Sequence, residues 1–303
     1  MFPGPATTTN RPRTSLAFVV VCLLIPACNS FRITSPFIPA GAKVVEDTTP
    51  PLPSKHHFRV TGFVFASDFE LNYDQPLFAE LGTLENQVRG ELLLPLSTQP
   101  VLIYLFEDRD RYQRYTMARY PEVPKRRAFF VAQPKLGGGE ELLAFTYWGE
   151  HIRVDLRHEL THAILHGVLK DVPLWLDEGL AEYFEVEPGS EGVNPEHLEF
   201  FRQIGPRNFD PDLTRLEQLN QLQQMTPREY REAWAWVHLM LRSEPETKKV
   251  LLDYLKQLRT NPNPGPIQPR LAALLPNAPA SLRRHLANVD RQQSAAKPLP
   301  QKN

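Results

Sequence analysis

HELTH at residues 158–162, followed by WLDEGLAEYFE at 175–185, decides how this chain is read. On a helix, His158 and His162 stand four residues apart, so both imidazoles leave one face, one turn above the other. That spacing lets two neutral ring nitrogens hold one Zn²⁺ at about 2.0–2.1 Å. Glu159 lies beside the first histidine, where its carboxylate can hold and deprotonate water. A third protein ligand would leave a fourth position open, which catalytic zinc needs and structural zinc lacks. The pattern points to a zinc hydrolase, with peptides as the first substrate to consider.

The surroundings fit a buried helix. Ile152, Leu156, Leu160, Ala163, Ile164 and Val168 recur at helical spacing through the motif. Two histidines and a glutamate in such a helix need partners, because an unpaired buried polar group is costly. A second helix starts near Asp171 and Pro173, and the short connection brings Glu178 back towards the histidines. The plain alternative is a core helix whose two histidines are merely satisfied by neighbours.

HELTH with PLWLDEGLAEYF resembles the gluzincins, the zinc peptidases built on HExxH plus a glutamate, which include thermolysin and the aminopeptidase N group. The aminopeptidases carry a WLNEG-type segment whose glutamate is the third zinc ligand. It matches Glu178 here, with Asp177 in place of the Asn, after fifteen intervening residues, a somewhat shorter gap than theirs. The chain also looks like a set of short exported gluzincin-like proteins known as a domain of unknown function. The strong resemblance spans roughly 145–242.

From the resemblance follow a zincin-like fold and several roles. Glu182, one turn after Glu178, would accept the second ring N–H of His162, or replace Glu178 as ligand. The run REYREAWAWVHLML (228–241) resembles the aminopeptidase pattern in which a tyrosine holds the oxyanion, which makes Tyr230 the donor and His238 its rival. Tyr230 has a structural alternative, packing beside Trp234. His166 continues the histidine spacing, but a further turn of helix carries it away from a shared ion. His151 reads as a cap-region residue.

Outside this core, Arg11 and Arg13 precede an apolar run from Leu16 to Ile25 and then Cys28. The run is too short to span a membrane and fits an export signal over 1–28. Ile25 and Ala27 before Cys28 resemble a bacterial lipoprotein box, which implies lipid on Cys28 and a cell-envelope location. If the box is not used, the protein is secreted. The chain has two cysteines, and removal of the signal takes Cys22 with it, so the fold does not depend on disulfides. Residues 29–57 read as a Pro-rich tether, 58–260 as the zincin-like domain, and 261–303 as a Pro-rich tail with two short helices and a disordered end.

The net charge of −1 gives no bulk attraction to nucleic acid or anionic membrane. The basic residues from Arg109 to Arg127 are interrupted by Asp108 and Asp110 and read as a solvated face. Gly137-Gly138-Gly139 is not a phosphate loop, since no Lys-Ser/Thr follows.

Alternating or apolar runs predict strands over 58–65, 100–106, 127–133 and 141–148, and 3.6-residue spacing predicts helices over 76–92 and 108–120. The strand at 142–148 is expected at the sheet edge, the position that holds a bound peptide in gluzincins. Helices are expected over 195–204, 227–242 and 247–258. Strands first and helices later make an α+β domain with a mixed or antiparallel N-terminal sheet and a mostly helical second half. Three functional readings compete: a zinc peptidase, a non-catalytic zinc-containing peptide-binding lipoprotein, and a zinc hydrolase of a non-peptide bond. Glu159 argues for an enzyme, because a carboxylate that is not a ligand has no use in a purely structural site.

Overall fold

The computed structural model describes residues 50–135, 138–205 and 207–296. The apolar run and Cys28 lie outside them. The single strand expected over 58–65 is instead a hairpin, β1 (His56–Val60) paired antiparallel with β2 (Phe63–Ser67). Thr61 turns the chain at φ 51°, beside Gly62. The core-facing positions shift from Phe58 and Val60 to Phe63 and Phe65 across Thr61-Gly62, a change of phase that the nearly continuous apolar run Phe63-Val64-Phe65 hides.

Five strands form one mixed sheet in the order β1-β2-β3-β5-β4. β3 (Val101–Phe106) lies parallel to β2 and to β5 (Glu140–Tyr147), while β4 (Ala128–Pro134) closes the sheet antiparallel to β5. The edge is therefore β4, and the strand expected there, β5, is interior. Both faces of β5 are covered: Leu142 and Ala144 join the main core, Leu143 and Phe145 a second, aromatic one. VLIYLF in β3 divides the same way, which is why it reads as an unbroken apolar run.

Two helices cover the main-core face, α1 (Pro76–Leu92) and α3 (Ile152–His166). The opposite face carries α2 (Arg109–Arg119), whose Tyr112 and Tyr115 pack with Phe106, Phe129 and Phe145. Asp108 caps α2 by accepting from the Arg111 amide at 2.8 Å.

The rest is helical: α4 (Leu174–Phe184), α5 (Pro195–Ile204), α6 (Leu213–Glu217), α7 (Pro227–Arg242), α8 (Pro245–Leu258), α9 (Gln268–Leu274) and α10 (Ala278–Ala296). The architecture is the expected α+β one, with the mixed alternative for the sheet. α4 packs on α3 and, closely, on α7. A Cβ at Gly179 would meet the Ala233 carbonyl oxygen of α7 at 2.8 Å, so only glycine lets these helices approach as they do. That contact is one residue from Glu178.

Two expected boundaries move. The tether ends before 57, because Leu52 packs against the aromatic core and the Lys55 amide donates to Ser67 at 3.0 Å. The domain also continues past 260: α9 buries Leu271, and α10 buries Leu282, Leu286 and Val289 in the main core. Proline-rich flanks made this stretch read as a tail, whereas its apolar residues complete the domain. Among the described residues, no helix is long and apolar enough to cross a membrane.

Candidate metal centre

The motif helix is buried along most of its length, with Leu156 and Leu160 in the core. Arg157, between Leu156 and His158, is fully buried, yet each of its three guanidinium nitrogens has a partner. Its guanidinium pairs with Glu80 at 3.0 Å and donates to the Phe184 and Glu185 carbonyls at 2.7 and 3.2 Å. Those carbonyls end α4, where a cation also meets the negative pole of the helix. Arg157 thereby ties the end of α4 to α3, and the end of α4 carries Glu185.

Three atoms converge where α3 faces α4. Glu178 Oε2 lies 3.3 Å from His158 Nε2 and 3.6 Å from His162 Nε2. All three fall within 4.8 Å of one another. Glu178 is buried, and its Oε2 has no hydrogen bond. A buried charged oxygen without a donor is costly, and a cation held by these three atoms removes that cost.

The opposite ring nitrogens each face another carboxylate. His158 Nδ1 bonds Glu185 Oε2 at 2.8 Å, and His162 Nδ1 lies 3.0 Å from Asp177 Oδ1. A carboxylate on one nitrogen fixes the tautomer and aims the other nitrogen at a metal. Asp177 has a second partner, His166, whose Nε2 bonds Oδ2 at 2.9 Å. The donor set of two imidazoles and one carboxylate suits zinc, and the residues present fit such an ion.

The electrostatics agree. Burial alone would depress both histidines, but Glu178 and Glu185 raise His158 well above its ordinary value, and Asp177 and Glu178 raise His162 to about 10. Burial likewise opposes the charge on Glu178, yet the two histidines hold its carboxyl far below the usual range. The carboxylates favour positive charge at this place, and a metal ion would compete with protons to supply it.

Glu182 does not meet His162. It bonds His197 Nε2 at 2.7 Å, so its expected role belongs to Asp177 instead. The reason is angular: the residue just before Glu178 reaches His162 from one side, while Glu182 points to α5. A second grouping, His158 with Glu182 and Glu185, is also compact. Its oxygens are taken, however, by His158, by His197, and by Asn194 Nδ2, which donates to Glu185 at 3.2 Å. Burial and the adjacent Glu182 push Glu185 up to about 7, against the pull of His158.

The centre opens into a cleft of about 220 Å³ lined by Glu159, His162, Glu178, Arg126, Phe130 on β4 and Leu222. Phe130 packs near His166, with centroids 5.4 Å apart. Glu159 is buried and contributes no atom to the ligand cluster. Burial raises its carboxyl above the ordinary value, with both histidines and Arg126 opposing.

Tyr230, in the first turn of α7, reaches the same region: its hydroxyl accepts from Arg126 Nη2 at 3.3 Å. Its rival His238 does not. His238 is buried against α10, where Nδ1 meets His285 Nε2 at 2.8 Å. The Lys125–Arg127 basic run is not one solvated face: Arg126 enters the cleft, and Arg127 pairs with Asp155 of α3 at 2.9 Å. His151, as expected, sits at the N-cap of α3.

Residues 154–264 match the model of a family described as a protein of unknown function (DUF1570). The matched segment holds His158, Glu159, His162, Glu178 and Tyr230, but not Arg126 or the edge strand. No curated protein matches the chain.

Proposed function

We propose that this chain is a zinc-dependent peptidase with a zincin-like fold, holding the ion through His158, His162 and Glu178. The observation that carries the reading is the Glu178 oxygen without a hydrogen bond, facing two histidine Nε2 atoms whose other nitrogens face carboxylates. When bound, the ion would supply Lewis acidity, polarising a carbonyl and acidifying water.

The protein's own groups account for the remaining chemistry. Glu159, buried beside the ligands but not among them, takes a proton from the attacking water and returns it to the leaving amine nitrogen. Tyr230 donates a hydrogen bond to the developing oxyanion, and its oxygen remains free to accept from Arg126. A peptide suits the cleft because β4 pairs on one side only, and its residues 129–132 line the wall. Backbone groups on that open edge can bond an extended chain of any sequence.

The test is metal analysis followed by cleavage of an unbiased peptide library. About one zinc per chain is expected, lost in His162→Ala, together with cleavage that a chelator stops. Full zinc retention in His162→Ala would remove the metal assignment. Stoichiometric zinc without cleavage would leave a binding protein rather than a peptidase.

A further inference from the structure

Arg126 is the cation of the cleft, and its bonding is incomplete. A guanidinium has five N–H donors in a rigid fork. Among the described residues Arg126 makes one hydrogen bond, to Tyr230, and no ion pair. Its neighbour Arg127 is tied to Asp155, and this anchors the start of β4 so that Arg126 faces the site rather than solvent. Lys125, one residue earlier, is exposed.

The acidic groups of the cleft do not need Arg126. Both Asp177 oxygens are engaged by histidines, at 3.0 and 2.9 Å. Glu178 belongs to the candidate ligand set and Glu159 lies beside it, and neither makes an ion pair with Arg126 among the described residues. The guanidinium feels these carboxylates at a distance but bonds neither, so most of its donors stay free at the edge of the cleft.

Resting on the peptidase reading above, the geometry points to Arg126 as a specificity residue that binds a carboxylate of the substrate, either a peptide C-terminus or an Asp or Glu side chain next to the reacting bond. The planar fork matches a carboxylate with two parallel N–H···O bonds. Charge-assisted bonds of this kind are worth about ten- to a hundredfold in affinity. Tyr230 remains bonded to the same group, so the substrate carboxylate and the oxyanion donor share one anchor.

The test uses the zinc-loaded full chain with Glu159→Gln, which prevents turnover, and measures peptide affinity by calorimetry. Three acetylated peptides of one neutral sequence serve as probes: a C-terminal acid, its amide, and an amide with one internal Glu in place of Gln. The acid, the internal Glu peptide or both should bind about ten- to a hundredfold tighter than the neutral amide, and which one does identifies the source of the carboxylate. Arg126→Gln should erase the preference, and Lys125→Gln should keep it. If Arg126→Gln does not fold, Arg126→Lys keeps the charge but loses the fork, and the preference should fall severalfold.

Equal affinity for all three peptides, no binding of any, or a preference that survives in Arg126→Gln overturns the inference. These failures are separable from failure of the peptidase reading. Native protein that cuts all three peptides, and binds them, alike keeps the peptidase and loses the anchor. Acid-selective binding without any cleavage by the native protein keeps the anchor and loses the peptidase.

Discussion

The molecule pairs a buried with a half-buried histidine at two places, His162 with His158 and His238 with His285, and their surroundings make the pairs opposites. His158 and His162 stand on one helix with ring centroids 4.9 Å apart, and every ring nitrogen faces a carboxylate. His238 and His285 come from α7 and α10, with centroids 5.1 Å apart, and bond each other with no carboxylate in contact. Carboxylates raise His162 to about 10, whereas burial, His285 and Arg242 depress His238 to about 3, and burial depresses His285 to about 4. One pair attracts cations and the other excludes them. On the proposed reading, acidic partners are what suit a histidine pair to a metal ion, and burying two imidazoles together is not enough.

The strongest way to break this contrast is Glu159→Gln, since only the first pair has a carboxylate at hand that is not spent on ligation. Zinc content and thermal stability should stay near native while turnover of any peptide found in the library falls by about 10²–10⁴. His238→Gln, by comparison, should leave turnover within a few fold. If the two variants lose activity equally, the proton-transfer role of Glu159 goes.

Tyr230→Phe is expected to cost roughly 10²–10³ in kcat with KM little changed, because it removes a donor used mainly in the transition state. The measurement also decides between Tyr230 and His238, whose sequence positions allowed either to serve. A raised KM with unaltered kcat would make Tyr230 part of the binding wall instead.

The carboxylates behind the ligands give a smaller effect. Asp177→Asn and Glu185→Gln each remove a charged acceptor from a ligand histidine and should weaken zinc about 10–100-fold by competition with a chelating dye. Glu182→Gln, whose partner is His197, should weaken it less. A larger loss from Glu182→Gln than from Glu178→Gln would move the third ligand to the second grouping.

What could be read from the chain follows the range of each interaction. His158, Glu159 and His162 are fixed by local helix geometry, so HELTH places them without any knowledge of the fold. Glu178 required only that two helices joined by a short connection pack together. Arg126 meets Tyr230 across 104 residues, and Arg157 meets Glu80 across 77, distances over which local patterns say nothing. The edge strand was misassigned for a related reason: β5 and β4 are both apolar on two faces, and only pairing distinguishes interior from edge. One signal went unused. His158, His162 and His166 share a helix face, and an acid directly before Glu178 is the natural partner for the last two. The structure supplies that partner in Asp177.

The gentlest test of the contrast is acid. A histidine whose folded pKa is depressed binds fewer protons folded than unfolded, so stability rises with pH in that window and falls as pH drops. For His238 and His285 the window runs from the ordinary value of 6.5 down to about 3 and about 4. Linkage gives at most roughly 2 kcal/mol per ring at pH 5, and the partial exposure of His285 reduces the pair to about 1–3 kcal/mol. The groups facing His238 are His285 from α10, Arg242 from its own helix and Tyr183 from α4, none of them a carboxylate that would welcome its proton. Urea unfolding of metal-free protein at pH 7 and pH 5, compared with His238→Gln/His285→Gln, isolates this contribution from carboxylates elsewhere. The native chain should lose about 1–3 kcal/mol more than the double variant. Because α10 closes the main core through Leu282 and Leu286, the loss should appear first as faster amide exchange in α10. An identical acid response in both proteins would mean that the second pair titrates normally, and the contrast between the two pairs would then rest on geometry alone.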